Sequence, residues 1–536
     1  MKITQRKLWQ FKGGIHPDDH KALSNTAATT PIALAPRLFI PLQQHIGAIT
    51  KPVVTIGQRV LKGELIAEAG GHVSAPIHAP TSGTVSAIDL HPIAHPSALK
   101  IPAIIIDSDG EERWTLREEL SRPLDLNPHE IRQRIKAAGV VGLGGAGFPA
   151  HIKLNPGAHT QIETLIINGA ECEPYITCDD RLMREKPLEV ILGIQIMRRA
   201  LSARHVLIGI EDNKPEAAIA LQQILQQLGE REIEVVVVPT IYPTGGERQL
   251  IQVLTGKEVP SQGIPLDIGV VCQNVATAAH SYAALYKGEP LINRIVTVSG
   301  ESVVRPGNYE VPFGTPLSEL IGAAGGVKGG GAATVIVGGP MMGIPVTDLQ
   351  IAVTKTTNAI LVQPPQPYPV AHHPCIRCGA CAASCPAQLQ PQQLYWHSRS
   401  RDFDKVQDEH IFDCIECGCC AWVCPSTIPL VHYFRFAKSE IWGRERDKAA
   451  ADIARERHEF RQQRIEREKQ ERAELMQRKK AALAKKKAGD GGDVKESIAA
   501  AVERTKAKKA KLASQEATLE SETIATPSEA EAKSNP

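Results

Sequence analysis

The sequence predicts a multidomain α+β protein, and three observations carry that prediction. Helical and strand-like patterns alternate between residues 128 and 288, as in an α/β layered domain. Glycine-punctuated β runs flank this region on both sides. Beyond residue 360 the chain turns to clustered cysteines and then to a charged tail. A chain of 536 residues is long enough for several cores. Hydrophobic residues make up 42% and aromatics only 4%, so those cores must be mainly aliphatic. A formal net charge of +2 argues against a nucleic-acid binder or an enzyme of acidic substrates.

The first domain is expected over residues 1–127. Short runs such as Pro52-Val53-Val54, Val60-Leu61 and Leu65-Ile66-Ala67 are cut by Gly57, Gly63 and Gly70, and a turn then strand follows at 79–85. Their texture resembles the barrel-sandwich of lipoyl and biotinyl carrier domains. No modifiable lysine at a hairpin tip is evident, so a scaffold role is expected. In residues 128–288, Ile131, Ile135 and Ala138 recur at helical spacing, and 215–228 reads as a helix. Residues 164–168, 206–210 and 235–238 read as buried strands. Residues 289–360 form a small β-rich domain with strands at 296–298, 303–304 and 335–337 and one helix near Leu317–Ala324. Residues 361–374, with Pro364, Pro365, Pro367, Pro369 and Pro374, read as a semi-rigid linker into a cysteine-rich domain at 361–440.

The tail, 441–536, lacks core-forming residues. From 441 to 511 it holds 22 Lys and Arg against 13 Asp and Glu, and from 512 to 536 one against five. It is expected to be helical and then disordered. A solvated helix is preferred to an anionic-lipid contact. No apolar run approaches the ~18 residues that span a bilayer, and the first residues lack a signal-peptide core. A cytoplasmic protein, soluble or peripheral to a membrane, is expected.

The chemistry is most legible in the cysteines. Eight of the twelve fall in two runs, Cys375, Cys378, Cys381, Cys385 and Cys414, Cys417, Cys420, Cys424, each followed by proline. The spacing C-x2-C-x2-C-x3-C-P resembles the bacterial ferredoxin run that binds 4Fe-4S clusters. A zinc ribbon is disfavoured by four cysteines in eleven residues plus the proline. The resemblance implies crossed ligation, the fourth cysteine of each run serving the other cluster. Cys375, Cys378, Cys381 and Cys424 would hold cluster 1, and Cys385, Cys414, Cys417 and Cys420 cluster 2. Cys419 breaks the spacing and is read as a non-ligand. Cys172, Cys178 and Cys272 read as ordinary buried cysteines.

Upstream, Gly142, Gly144, Gly145 and Gly147 lie in G-L-G-G-A-G-F-P. An ordinary Rossmann site is doubtful, because a helix pattern precedes this loop and the next strand pattern comes some fifteen residues later. Its glycines still let backbone N–H groups approach a phosphate or flavin closely. Three further loops follow: Asn168 to Pro174 with Glu171 and Glu173 at a strand end, Tyr242 to Glu247, and Gln273 to Thr277.

In this order the motifs resemble those of the NADH-binding flavoprotein subunit of respiratory complex I. The resemblance implies FMN near Gly142, Gly144, Gly145, Gly147, Lys153, Asn168, Asn274 and Thr277. It implies NADH near Phe148, Glu173 and Glu247, with Glu171 and Tyr242 also binding candidates. Two positions depart from that family, Ala170 for an aspartate and Ala276 for a glutamate. Together with residues 11–17, F-K-G-G-I-H-P, and the region around Arg305-Pro306-Gly307, the whole resembles the RnfC (RsxC) family over about residues 10–440. That resemblance implies a β-grasp (SLBB-like) domain at 289–360. It implies an electron-input subunit at the cytoplasmic face of the bacterial inner membrane, without a transmembrane segment of its own. NADH or a ferredoxin-type partner would exchange electrons with it, and membrane-embedded and membrane-associated Rnf subunits would be its neighbours. Two alternatives remain: a soluble flavin and iron–sulfur cobalamin reductase, and a non-catalytic iron–sulfur adaptor. No residue is expected to act as a covalent or acid–base catalyst.

Overall fold

A computed structural model describes residues 6–95, 97–157, 160–365, 371–489 and 494–521. They fall into two units, residues 1–441 and 442–536.

The first domain is a pair of small sheets. Arg37–Pro41, Lys100–Ser108, Gly83–Pro92 and Arg59–Val60 form one in that order, and Lys51–Pro52, Leu65–Glu68 and Ile77–His78 the other. Ile104 and Ile106 point into the core with Leu38, Ile40, Ile66 and Val85, as the period of two in a strand requires. Pairing at Lys51–Pro52 stops short of the expected run, leaving Val53 and Val54 outside the strand.

The α/β domain has a four-stranded, all-parallel sheet in the order Ile233–Val238, His205–Glu211, Thr164–Asn168, Val270–Asn274. Helices cover both faces, which is why these strands are continuous apolar runs. The helix Pro128–Ala137 begins with a capping box between Asn127 and Glu130. Pro215–Leu228 spans the predicted residues and stops at Gly229, whose φ of 65° suits a residue without Cβ. The fourth strand, Val270–Asn274, is legible in the sequence only as a loop motif. It places Asn274 directly beside Asn168 at the carboxyl edge of the sheet.

A six-stranded mixed sheet follows, in the order Thr30–Pro31, Gly307–Pro312, Asn293–Ser299, Ala359–Gln363, Thr334–Val337, Ile344–Val346, with the helix Leu317–Ala323 against it. One expectation fails here. Val303 makes only an isolated bridge to Val327, and no strand forms at 303–304. Arg305 and Pro306 follow, and proline offers no N–H to extend a ladder. Of the linker prolines, Pro367 and Pro369 lie outside the described residues.

The cysteine-rich domain packs short helices around Leu394, Phe403, Val406, Ile411, Ile428 and Phe434. Its last helix, Leu430–Gly489, supplies Leu430, Phe434 and Ala437 to this core. In the second unit the described side chains are almost all exposed, with i,i+4 pairs such as Arg464–Glu468. Helix Val494–Ser521 carries regular structure past residue 511, where composition predicts disorder. Residues 522–536 lie outside the described part.

Buried cations tie the domains of the first unit together. Lys355 is fully buried, and its ammonium donates to the carbonyls of Pro76 (2.9 Å) and Gly139 (2.7 Å), so one side chain joins three domains. Burial lowers it to about 7. His78, nearby and buried, is held down to about 3 by burial and by the charge of Lys355, and its Nδ1 has no protein partner among the described residues. The unfolded chain therefore takes up a proton at His78 below its ordinary value near 6.5, whereas the folded chain does not until near 3. This term of stability is complete above pH 6.5 and is lost as pH falls, at about 1.4 kcal/mol per pH unit. Lys355 contributes no slope below pH 7, since it is charged in both states there. Denaturant unfolding at pH 7.5, 6.5 and 5.5 is expected to show this decline, and His78→Gln to flatten it; an unchanged slope in the variant would refute the assignment.

Candidate functional site

The glycine-rich loop is a closed turn between two short stretches of backbone. Gly142 N–H donates to the Phe148 carbonyl at 2.7 Å, and Val141 bridges Pro149. A helix precedes the loop and a short helix, Ala150–Lys153, follows, so it is not a strand-to-helix Rossmann turn. Its base is held from three sides. Leu143 N–H donates to the Thr277 hydroxyl at 2.9 Å. The buried guanidinium of Arg294 donates to the Leu143 carbonyl at 3.0 Å. Gly147, at φ 65°, fits against Thr356, where a Cβ would lie 2.7 Å from a methyl carbon.

The tip is different. Gly144, Gly145 and Ala146 are exposed, and their N–H groups have no partner among the described residues. A Cβ on Gly145 would meet nothing, whereas one on Gly144 would lie 3.4 Å from Asn274. The tip therefore presents free backbone donors beside the carboxyl edge of the sheet, where Asn168 and Asn274 end neighbouring strands. Asn168 donates to the Gly245 carbonyl (2.8 Å) and Asn274 to Asp179 (2.7 Å), and each amide retains a second N–H. Lys153 donates to Glu247 (2.6 Å) and to the Cys272 carbonyl (3.2 Å). Free donors, glycines and an ammonium are a donor set that suits a phosphate and the polar edge of a flavin, so FMN fits here.

Four expected cofactor residues are instead engaged by protein. Thr277 is buried under the loop and also reaches the Val141 carbonyl. The Glu171 carboxyl accepts from the N–H groups of Asp179 (2.6 Å) and Asp180 (3.2 Å), capping the helix Cys178–Glu185. Burial raises Glu171 to about 8. Glu173 accepts from Met341 (2.8 Å) and Met342 (3.1 Å) in the following domain, and burial raises it as well. Tyr242 is 2% exposed, and its hydroxyl donates to the Cys417 carbonyl at 2.6 Å.

The eight motif cysteines form two groups. One pocket is lined by Cys385, Cys414, Cys417 and Cys420, with Leu389, Leu394, Val431 and Phe434. The other is lined by Cys375, Cys378, Cys381 and Cys424, with Tyr395 and Leu430. Each pocket thus takes three cysteines from one run and the last from the other. Backbone N–H groups of Arg377, Leu389 and Glu416 lie 3.4 Å from the sulfurs of Cys375, Cys385 and Cys414. Four thiols, apolar walls and N–H···S contacts are a donor set that suits a cubane cluster. Cys419 lines neither pocket; its sulfur lies 4.0 Å from the Tyr242 carbonyl.

Two supports of this site escape a reading of the sequence. Lys21 is buried, and its ammonium donates to the carbonyls of Glu171 (2.8 Å), Glu173 (3.0 Å) and Ile176 (2.6 Å), shaping the acidic loop from within. Gly13 and Gly14, at φ 75° and 84°, let the amino-terminal strap pass between two domains. A Cβ on Gly13 would lie 2.6 Å from the Cys385 carbonyl oxygen, and Ile15 pairs with Tyr242. The adjacent glycines are a visible signal; nothing in the sequence marks Lys21.

Comparisons with known protein families agree with this layout. Residues 9–111 match the RnfC barrel sandwich hybrid domain, 135–283 the Nuo51 FMN-binding domain, 295–345 the SLBB domain and 371–428 a 4Fe-4S dicluster domain. The chain is 48% identical over 508 residues to an RnfC-type ion-translocating oxidoreductase complex subunit from Citrobacter koseri, covering 94% of this chain and 70% of that one. It is 48% identical over 506 residues to a protein of the same name from Salmonella enteritidis PT4, with the same coverage, 94% and 70%. A solved NAD+-reducing NiFe hydrogenase is similar over 56% of this chain and 60% of its own, at 21% identity and a TM-score of 0.43.

The Thr277 hydroxyl satisfies the buried Leu143 N–H. Thr277→Val is therefore expected to cost about 1–3 kcal/mol in denaturant unfolding, the usual cost of an orphaned buried donor. It should also lower the flavin content of the purified chain, whereas Thr277→Ser should retain both.

Proposed function

The chain belongs to the RnfC family of ion-translocating oxidoreductase complex subunits, and on that footing we propose that it passes electrons from NADH, by way of FMN and two 4Fe-4S clusters, to the partner subunits of such a complex. FMN accepts an electron pair and releases it singly, and 4Fe-4S clusters carry one electron at a time. Everything else in the reaction is binding, orientation and insulation by this chain.

The free N–H groups of Gly144, Gly145 and Ala146, with Lys153, Asn168 and Asn274, hold the flavin's phosphate and polar edge. Phe148 and Glu247 border the NADH position, Phe148 offering a ring face and Glu247 a carboxylate for ribose hydroxyls. Glu171, Glu173, Tyr242 and Thr277 stand one step behind and hold these loops in place. Cys385, Cys414, Cys417 and Cys420 ligate cluster 2, and Cys375, Cys378, Cys381 and Cys424 ligate cluster 1.

The observation that carries this reading is the contact path between the two sites. Asn168 bonds Gly245; Gly245 lies against the Cys172 sulfur, where a Cβ would be 2.8 Å away; Tyr242, in the same loop, donates to Cys417. Electrons leaving the flavin site therefore enter at cluster 2. Cluster 1 lies beyond it, where Ile376 is 68% exposed and Cys378 is exposed too, and serves as the outlet. No described helix is long and apolar enough to cross a membrane. The chain accordingly works as a peripheral subunit on the cytoplasmic face of the bacterial inner membrane, against membrane-embedded and membrane-associated partners. With a ferredoxin-type donor the same path runs in reverse, towards NAD reduction.

Purified without oxygen, the chain is expected to carry about eight iron and one FMN, from two cubane clusters and one flavin site. NADH should bleach the flavin first and the clusters after it; no flavin and no response to NADH would overturn the reading. Crossed ligation has its own test. Cys385→Ser and Cys417→Ser, in different runs, should each retain about four iron, the content of one cubane. They should also leave the same residual EPR signal. Different residual signals would refute it.

A further inference from the structure

The two cysteine runs are near copies, and they differ at one telling position. The first reads Cys375-Ile376-Arg377-Cys378 and the second Cys414-Ile415-Glu416-Cys417. Arg377 and Glu416 occupy equivalent sites and share a φ of 57°. Arg377 is exposed, so solvent and salt screen its charge. Glu416 is partly buried and gathers two cations from the helix Leu430–Gly489. Arg435 donates to it at 2.9 Å and Lys438 at 2.8 Å. Lys438 is 7% exposed, and its ammonium also donates to the carbonyl of Cys414 at 2.7 Å. Two cations against one carboxylate leave a local excess of one positive charge at the edge of the pocket that contains Cys417. The pocket that contains Cys378 has no charged residue in its wall.

Electrostatics gives this asymmetry a direction. Cys417 and Cys420 are buried, whereas Cys378 of the other group is exposed. Burial disfavours the added negative charge of a reduced cluster and lowers its potential; a nearby cation favours that charge and raises it. Neither Lys438 nor Arg435 touches a cysteine sulfur, and neither is singled out by its sequence context.

We propose that Lys438, oriented by Glu416 and supported by Arg435, is a positioning residue that raises the potential of cluster 2, offsetting its burial so that the cluster nearer the flavin site accepts single electrons. This rests on the reading that the two pockets hold 4Fe-4S clusters. The charge acts at a distance, so no proton need leave Lys438 and no bond is made or broken.

The test is an EPR-monitored redox titration of the iron-loaded full chain. In Lys438→Met and Lys438→Gln one cluster should fall in potential, with its one-electron equilibrium shifted at least about tenfold, or 59 mV. The other cluster should stay in place, and Lys438→Arg should restore the wild-type value. If neither cluster moves, the proposal is overturned while the cluster assignment stands. If Lys438→Gln behaves as wild type and only Lys438→Met shifts, the hydrogen bond and not the charge is responsible, which also overturns it. Loss of iron in both neutral variants would assign Lys438 a purely structural role and overturn it likewise. A wild-type chain holding fewer than two clusters would sink the underlying reading instead.

Discussion

Tyr242 donates its hydroxyl to the carbonyl of Cys417 at 2.6 Å, and the electron route depends on the alignment that this contact maintains. The flavin-side loops and the cysteine pockets belong to different domains, separated in sequence by more than a hundred residues. A redox chain needs them at one fixed separation. Tyr242 provides this because its ring is buried among Ile15, Cys417 and Cys419 while its backbone pairs with Ile15 in the strap. A buried hydroxyl left without its acceptor would cost about 1–3 kcal/mol, so the two domains are held in register, not merely adjacent.

The same logic recurs in the buried cations. Lys21, Arg294 and Lys355 all place donors on backbone carbonyls of other segments. Each offsets its desolvation with several charge-assisted bonds, and each bond fixes a loop that could not hold its own shape. Lys21 holds the acidic loop, in which Glu171 and Tyr175 adopt φ of 48° and 68°. Arg294 and Thr277 hold the base of the glycine loop, leaving its tip free to meet a ligand. The groups that bind are thereby kept distinct from those that brace.

Several features are legible in the chain before it folds. The two cysteine runs announce their chemistry because cubane ligation demands a particular spacing and a following turn. The parallel sheet announces itself because strands covered on both faces must be apolar throughout. Sequence reasoning fails where a local pattern lacks its partner: Val303-Val304 has the right residues for a strand, but Arg305-Pro306 removes the donor that would extend it. Val270–Asn274 looks like a loop motif in the sequence, although it forms the strand that sets Asn274 beside Asn168.

Thiol spacing, glycine content and chain order are local properties, so the amino-acid sequence alone settles which residues are chemically able to bind flavin and iron–sulfur clusters. Folding selects which of them face a ligand. Glu171, Glu173, Tyr242 and Thr277 carry suitable polar groups, yet each is turned to a partner distant in sequence or brought near by folding. Folding also joins Cys385 to Cys414, Cys417 and Cys420, and it stands Lys438 at the edge of that pocket and not the other. Charge and hydrogen bonding act through space, and the order of residues along a chain does not record which groups folding will bring within their reach.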